Sequence, residues 1–516
     1  MARAREQGMS DLSNATPEGW IVAPLQEVVT LRSERVNPQS MPDLPYIGME
    51  HVEPHTNRII RTVPASSVTS SAARFCANDV LYGRMRPYLN KVAQPRFAGL
   101  ASGEFMVFAF STLLNPTFLQ LRLTSADFVE FALSQISGDR PRVKFEQLKD
   151  FAFALPPLRE QHRIVEKLEE LLGDLDAGVG ELRAAQGKLK LYRQSLLKAA
   201  VTGKLTADWR EQANAEGKEC TETGASLLTR ILEVRRQQWA DRKFGATERA
   251  GQINRGDLRR DYREPLAPDL SKHDPTPESW ALATIGQLGD VQLGRQRSPD
   301  KLTGLSSTKY IRAANITELG IDFSDVLEMD FSATEKSTFR LRQGDVLLTE
   351  ASGSAEHVGR PAIWPNAEEI YCFQNTVLRF RPTLIGSRFA FYVFLACQKL
   401  GRFVELAGGV GINHLSAGKF SAIPVPLPSL DEQDEIVELL DSAFADLDRQ
   451  GAAIAHALRQ SEAQRKNILQ AAFSGQLVPQ DPNDEPASVL LERIRASRAD
   501  KATAPTRRPR KAREPA

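Results

Sequence analysis

Residues 155–205 of this chain, LPPLREQHRIVEKLEELLGDLDAGVGELRAAQGKLKLYRQSLLKAAVTGKL, recur at 427–477 as LPSLDEQDEIVELLDSAFADLDRQGAAIAHALRQSEAQRKNILQAAFSGQL. The copies align without a gap: Gln433 follows Gln161 by 272 residues (433 − 161), and Leu477 follows Leu205 by the same number (477 − 205). Each copy opens with proline and a Glu-Gln step and then runs on without proline, as a helix start does. Leu168, Leu175, Leu182, Leu189 and Leu196 recur at every seventh position, matched by Leu440, Leu447, Ile454, Ser461 and Ile468. This spacing predicts a coiled-coil seam. Companion positions are often alanine (Ala185, Ala199, Ala443, Ala457, Ala471), so two such helices can approach closely side by side. From Gln161 to Ala200 a helix reaches roughly 60 Å at about 1.5 Å per residue. Two ordinary amphipathic helices, each packed on its own domain, are the plainer alternative.

The 516 residues suffice for about two to four domains with proper cores. A net charge of +1 means that any polyanionic partner is met by local basic patches and not by a global field. Cys76, Cys220, Cys372 and Cys397 lie far apart and form no CxxC pair, which argues against a zinc ribbon or a disulfide framework and for a reducing cytoplasm. No apolar run approaches membrane-spanning length, and the start MARAREQGMSDLSNATPEGW lacks the apolar core of a signal peptide. Translation starting at Met9 fits the sequence as well as a start at Met1.

The phrase Pro17-Glu18-Gly19-Trp20 returns as Pro277-Glu278-Ser279-Trp280, marking two domain starts in which each Trp anchors an opening strand in its core. After the first Trp, the apolar runs at 46–52, 79–85 and 105–110 read as strands and 119–135 as a helix. The second segment repeats that order at 310–316, 344–350 and 375–380, followed by a helix over 387–400. The expected layout is a flexible leader at 1–16, a mixed α+β domain at 17–154, a coiled-coil helix at 155–205, and a helical arm and extended linker at 206–276. A second mixed domain at 277–426, a second coiled-coil helix at 427–477, a short helix at 478–500 and a basic disordered tail at 501–516 complete it.

No GxxxxGK[ST] phosphate loop is present. Gly408-Gly409-Val410-Gly411 does not link a strand to a helix, so it makes a poor dinucleotide or S-adenosylmethionine fingerprint. Asn115-Pro116-Thr117-Phe118 departs from an amino-methyltransferase loop at its third residue. The seven histidines are scattered without HExxH, and Glu169-Glu170 lies in a helix face, where solvated charge is the default. No catalytic residue and no metal site emerge. A binding surface fares better. Arg74, Arg84, Arg86, Tyr88, Asn90, Lys91 and Arg96 gather about one strand and its loop, with only Asp79 and Glu104 to offset them. Arg and Lys neutralise phosphates, Arg holds guanine bidentately, and Asn does the same for adenine. In the second segment the equivalent loop, 349–360, is small and polar and includes Ser352, Ser354, His357 and Arg360. Arg312, Asn315, Gln374, Asn375, Asn413 and His414 add candidate readers. Taken singly, each is equally well a surface loop without a target.

At this point the chain resembles the specificity subunit of type I restriction-modification systems, over nearly its whole length. The phrases that carry the likeness are Leu155-Pro156-Pro157-Leu158-Arg159-Glu160-Gln161 and Leu427-Pro428-Ser429-Leu430-Asp431-Glu432-Gln433. With them go Ala199-Ala200-Val201-Thr202-Gly203-Lys204-Leu205 and Ala471-Ala472-Phe473-Ser474-Gly475-Gln476-Leu477. Gly344-Asp345-Val346-Leu347 is complete, whereas the first half reads Asn78-Asp79-Val80-Leu81 and lacks the turn glycine. The resemblance implies two target recognition domains joined by long antiparallel helices with an approximate two-fold, circular arrangement. It implies a non-catalytic reader of double-stranded DNA on which two adenine methyltransferase subunits dock and restriction subunits join. S-adenosylmethionine, ATP and Mg would be used by those partners. A reader of this shape meets half-sites about 34 Å apart, and unlike loops imply an asymmetric bipartite target. A specificity subunit of a self-contained methyltransferase-nuclease and an architectural coiled-coil protein remain alternatives.

Overall fold

The computed structural model describes residues 16–136, 141–216, 222–248, 262–269, 276–297, 304, 306–352, 354, 357–406 and 413–503. The Gly408–Gly411 run and Cys220 lie outside these residues, as do most of the leader and the basic tail. The chain divides into two compact units, Met1–Arg183 with Ala455–Ala516, and Ala184–Ile454. The first unit therefore takes both ends of the chain and the second its middle.

Both units mix helix and strand on one plan. In the first, Ile21–Pro24 pairs antiparallel with Ala152–Leu155, so the opening and closing strands lie side by side. Between them fold a four-stranded sheet (Leu31–Arg32, Phe105–Phe108, Val80–Gly83, Val92–Ala93) and a five-stranded one (Arg35–Val36, Ala72–Phe75, Gly99–Ala101, Pro45–Ile47, Val63–Pro64). In the second, Ala281–Thr284 pairs with Pro424–Leu427. They bracket a four-stranded sheet (Gly289–Leu293, Val377–Pro382, Val346–Thr349, Pro361–Ile363) and a three-stranded one (Leu327–Asp330, Ser307–Ile311, Tyr371–Phe373). The central strands Val80–Gly83 and Val346–Thr349 are buried at every residue, which is why they read as unbroken apolar runs.

The turn before each central strand explains the Asp-Val-Leu phrase. Gly344 takes the left-handed conformation (φ 84°), and Asn78 in its place does the same (φ 67°), asparagine being among the few other residues that tolerate it. The aspartates that follow are fully buried. Asp79 accepts from Arg32 Nε (2.8 Å), Cys76 N (2.8 Å) and Phe110 N (2.8 Å). Asp345 accepts from both arms of Arg381 (2.6 and 2.7 Å) and from Arg342 N (2.7 Å).

Two expected strands stop well short of their apolar runs, and one expected helix is split. The strands at 46–52 and 310–316 stop at Ile47 and Ile311, where each chain enters a single tight turn, Met49–His51 or Ala313–Asn315. His51 Nδ1 accepts from Gly48 N (3.0 Å) and Asn315 Oδ1 from Arg312 N (3.0 Å), so a side chain folding back on its own backbone ends the strand. The helix expected at 119–135 is two, Pro116–Arg122 and Ala126–Ser134. Thr124 Oγ1 and Ser125 Oγ donate to Leu121 O and Arg122 O (2.7 and 2.6 Å), breaking the ladder between them.

The repeated phrases form two unbroken helices, Leu158–Val201 and Leu430–Phe473. None of the heptad positions Leu168, Leu175, Leu182, Leu189, Leu196, Leu440, Leu447, Ile454, Ser461 and Ile468 is exposed. In the first unit the start of one helix packs against the end of the other: Ile164, Leu168 and Leu172 share a core with Leu469 and Ala472, and Arg465 pairs with Asp176. In the second unit Leu197 and Ala200 share a core with Ile436 and Leu440, and Arg193 pairs with Asp448. Both pairings are antiparallel. Asp448 and Arg465 are the repeat counterparts of Asp176 and Arg193, so the two ion pairs are one contact used twice.

The Pro-Glu-Gln phrase is a joint. Gln161 Oε1 accepts from Asn115 N (2.9 Å) while its Nε2 donates to Pro156 O (3.0 Å). Gln433 does the same with Gly386 N (3.4 Å) and Pro428 O (3.1 Å). Each glutamine ties the N-terminus of a domain helix to the start of a long helix. Beside it, buried Glu432 accepts from Trp280 Nε1 (2.7 Å) and Thr206 Oγ1 (2.6 Å) and pairs with Arg210. Glu160, equally buried, accepts a 3.2 Å hydrogen bond from Gln480 where Glu432 has its ion pair with Arg210. Burial pushes its carboxyl above the ordinary range, against Trp20 and Gln480, which pull it down. The helix ends are joints too. Gly203 and Gly475 (both φ 75°) press against Pro277 and Pro17, where a Cβ would collide with the ring. Ala487 N then donates to Gly19 O (2.8 Å) as Gly224 N does to Ser279 O (2.8 Å), seating helices Ala487–Thr503 and Gly224–Glu248 on the domain openings.

Three substitutions test these joints and the buried aspartate. Glu432→Gln breaks a buried ion pair and should lower stability by about 3 kcal/mol, whereas Glu160→Gln should be neutral or stabilising at pH 7.5. A carboxyl whose folded pKa is raised contributes stability below its unfolded pKa and loses it as pH rises through the folded value. The advantage of Glu160→Gln over the parent should therefore shrink towards pH 4, read by thermal melts at both pH values. Equal losses from both substitutions would refute the asymmetry. Asp345→Ala, which removes the buried partner of Arg381 and of the Arg342 turn N–H, should cost about 3 kcal/mol in denaturant titrations.

Candidate nucleic-acid interface

The candidate binding residues of the second domain converge on the end of its central strand. Glu350, which follows Thr349, donates its N–H to Thr376 O (2.9 Å) and accepts Leu415 N (2.9 Å). Ala351 and Ser352 pair with His414 and Asn413 in a short antiparallel ribbon. Gln374 N donates to Ile311 O (2.9 Å), Asn375 N to Arg295 O (3.0 Å), and Ala313 N to Thr376 Oγ1 (3.1 Å), which brings the Arg312 turn to the same place. The loop closes on Thr349, whose carbonyl accepts Gly359 N (2.9 Å) and whose hydroxyl accepts Arg360 N (3.0 Å) and donates to His357 O. Ser354, His357 and His414 are exposed, and Arg360, Gln374 and Asn375 are half-buried. Arg312 pairs with Asp325.

Asn315 is not a base reader. It is fully buried, and its Nδ2 donates to Asp322 O and Asp325 O (both 3.0 Å) while its Oδ1 caps the Arg312 turn. Both amide hydrogens and the amide oxygen hold the loop together.

In the first domain the corresponding place is a rigid turn. Pro87–Leu89 is bracketed by Arg86 (φ 52°) and Asn90 (φ 47°), both left-handed. Such a conformation costs a non-glycine residue about 1–3 kcal/mol and persists where its surroundings hold it. Here Arg86 N donates to Pro141 O (2.8 Å), and Asn90 Nδ2 donates to Thr124 O (2.9 Å). Arg86, Tyr88 and Arg96 are exposed. Lys91 bends inward to donate to Met49 O (2.6 Å), and burial holds its pKa below the usual lysine value. Arg84 faces Glu104 at 3.5 Å, and the same carboxylate accepts from Arg142 (2.8 Å). Arg74 stands apart from this turn, on the strand Ala72–Phe75, paired with Glu34 at 2.9 Å.

The sequence reading missed the neighbouring loop 53–58. His55 N donates to Leu89 O and Asn90 O (both 3.3 Å), and His55 and Asn57 are themselves left-handed (φ 63° and 61°). This sets exposed His55 against the turn that carries Tyr88, with exposed Arg58 three residues further along the same loop. Only the polar run His55-Thr56-Asn57-Arg58 hinted at it, and a run of that kind marks any loop.

On this frame each domain offers donors and acceptors from several loops at one strand end, with no cluster of three His, Cys, Asp or Glu among the described residues that could hold a metal. Residues 17–179 and 277–453 match the model of the type I restriction modification DNA specificity domain. The chain is similar to the type I restriction enzyme StySPI specificity subunit of Salmonella potsdam, 25% identical with 94% of this chain and 96% of the relative covered. It is also similar to the EcoDI specificity subunit of Escherichia coli, 27% identical over 42% of this chain, and there the match spans about half, 49%, of the relative's length. Among solved structures, a chain from a study of complex assembly and conformational transition of the type I R-M system shares the fold. Its TM-score is 0.63 at 18% identity, covering 89% of this chain and 99% of that one. In both of its halves, this chain belongs to the type I restriction-modification DNA specificity family.

Proposed function

We propose that the two domains, residues 17–154 and 277–426, each read one half of an asymmetric bipartite target in double-stranded DNA. The observation that carries this is one scaffold ending in two unlike sets of side chains. The first domain offers exposed Arg86 and Tyr88 on a strained turn, and the second Glu350, Gln374, Asn375 and His414. Base edges are distinguished by their donor and acceptor patterns, so unlike sets on like frames read unlike sequences. Exposed arginines such as Arg96 supply the phosphate contacts that fix register and make binding fall with salt.

In this reading the long helices dock two adenine methyltransferase subunits, restriction subunits join the complex, and the unread spacer follows the length of the helices. S-adenosylmethionine, ATP and Mg belong to those partners, and the chain contributes recognition without a catalytic residue. The assembly works in the cytoplasm.

The test is a methylation map. Co-expression with its adenine methyltransferase in a host free of methylation should yield one bipartite motif with unlike halves, and exchanging residues 20–150 for those of a relative should change one half only. Modification that is absent, or scattered without a motif, from a folded and assembled complex would favour an architectural coiled-coil protein instead.

A further inference from the structure

Arg84 and Glu350 occupy the same backbone position in the two domains. Each follows the central strand directly. Each donates its N–H to the carbonyl of the neighbouring strand's loop, Glu104 O or Thr376 O (both 2.9 Å), and each accepts from the segment leading to the closing strand, Val143 N or Leu415 N (both 2.9 Å). The flanking residues correspond in turn, Glu104 to Thr376 and Arg142 to His414. The side chains at this shared position have opposite charge. In the first domain the cluster is an arginine, a glutamate and a second arginine: Glu104 accepts from Arg142 at 2.8 Å and faces Arg84 Nε at 3.5 Å. In the second it is a carboxylate whose two oxygens each stand 3.3 Å from His414 Nδ1. The Glu350 side chain is 15% exposed, so it is held in place by its neighbours while part of it stays accessible.

A carboxylate at a DNA-facing tip is repelled by phosphate, and what it can accept from there is an exocyclic amino group on a base edge. A guanidinium at the same point makes the opposite choice, donating to the acceptor pair of guanine. We propose that position 84/350 determines specificity in both domains with opposite polarity. Glu350 selects a base that presents an amino group in the major groove, cytosine or adenine, and Arg84 selects guanine. The inference rests on the reading of this chain as a DNA specificity subunit. His414 acts as a positioning residue that fixes the carboxylate.

The experiment compares methylation maps of the complex assembled with the parent chain, Glu350→Met and Arg84→Met. Methionine keeps the length of Glu350 and removes both its charge and its carboxylate acceptors, whereas a glutamine would itself hold adenine. We expect Glu350→Met to relax one base pair of one half-site, occupied in the parent motif by cytosine or adenine on the strand read, with selectivity there falling on the order of ten-fold or more. Which of the two bases stands there in the parent map distinguishes the sources of the amino group. Arg84→Met should relax a guanine in the other half-site and leave the first untouched. An unchanged motif with Glu350→Met, an equal loss at every position, or failure of that variant to assemble would each make Glu350 a loop-shaping residue and overturn the proposal. A parent map without any motif would sink the DNA-reading function itself, and this inference with it.

Discussion

A carboxylate and an amide buried in the first turn of each long helix hold this architecture together. Glu160-Gln161 and Glu432-Gln433 are almost fully covered, and a buried polar side chain is tolerated only where its hydrogen bonds are made. The glutamines spend their amides on the N-terminus of a domain helix and on a proline carbonyl, so helix and domain are locked at a fixed angle. Everything that a loop at the far end of the domain can present depends on that lock. The two copies are nonetheless unequal. Glu432 has an arginine partner, whereas Glu160 has an amide and carries the cost of its burial in a raised pKa.

Much of the scaffold was legible in the sequence because it is written twice. Repetition at a constant offset made the heptads of Leu168 and Leu440 visible, and the central strands, buried on both faces, could only be apolar runs. Strand ends were harder to read. At Ile47 and Ile311 the chain leaves the sheet because His51 and Asn315 bond to the backbone three residues back, and neither His nor Asn signals that on its own. The same effect misled the site reading at Asn315. A polar residue in a loop has the same composition whether it faces a ligand or caps a turn, and only its hydrogen-bond partners tell the two apart. His55 was missed for the complementary reason: it reaches the Tyr88 turn through backbone contacts to Leu89 and Asn90, and the register of such contacts is not encoded in local pattern.

The duplicated frame also separates what must be kept from what is free to vary. Positions 78 and 344 both need a left-handed residue, and positions 79 and 345 both need a buried acid that binds an arginine and a turn N–H. One residue beyond the strand that these acids anchor, the charge reverses between the halves. A rigid base with a variable tip lets new side chains be tried without re-solving the fold, since surface substitutions at a strand end leave the core untouched.

The unit that takes both chain ends has a consequence for synthesis. The core around Trp20 is completed by Leu469, Ala472, Leu490, Leu491 and Ile494, and Phe118 packs on Phe473 at 5.6 Å. A ribosome delivers residues 16–155 first and their apolar cover last, whereas the contiguous unit 184–454 can close as soon as it emerges. The nascent first domain must therefore wait with a bare apolar face, the kind of surface that draws chaperones and aggregates. Removal of residues 469–494 would do its damage in the domain that opens at Trp20, more than four hundred positions earlier in the chain.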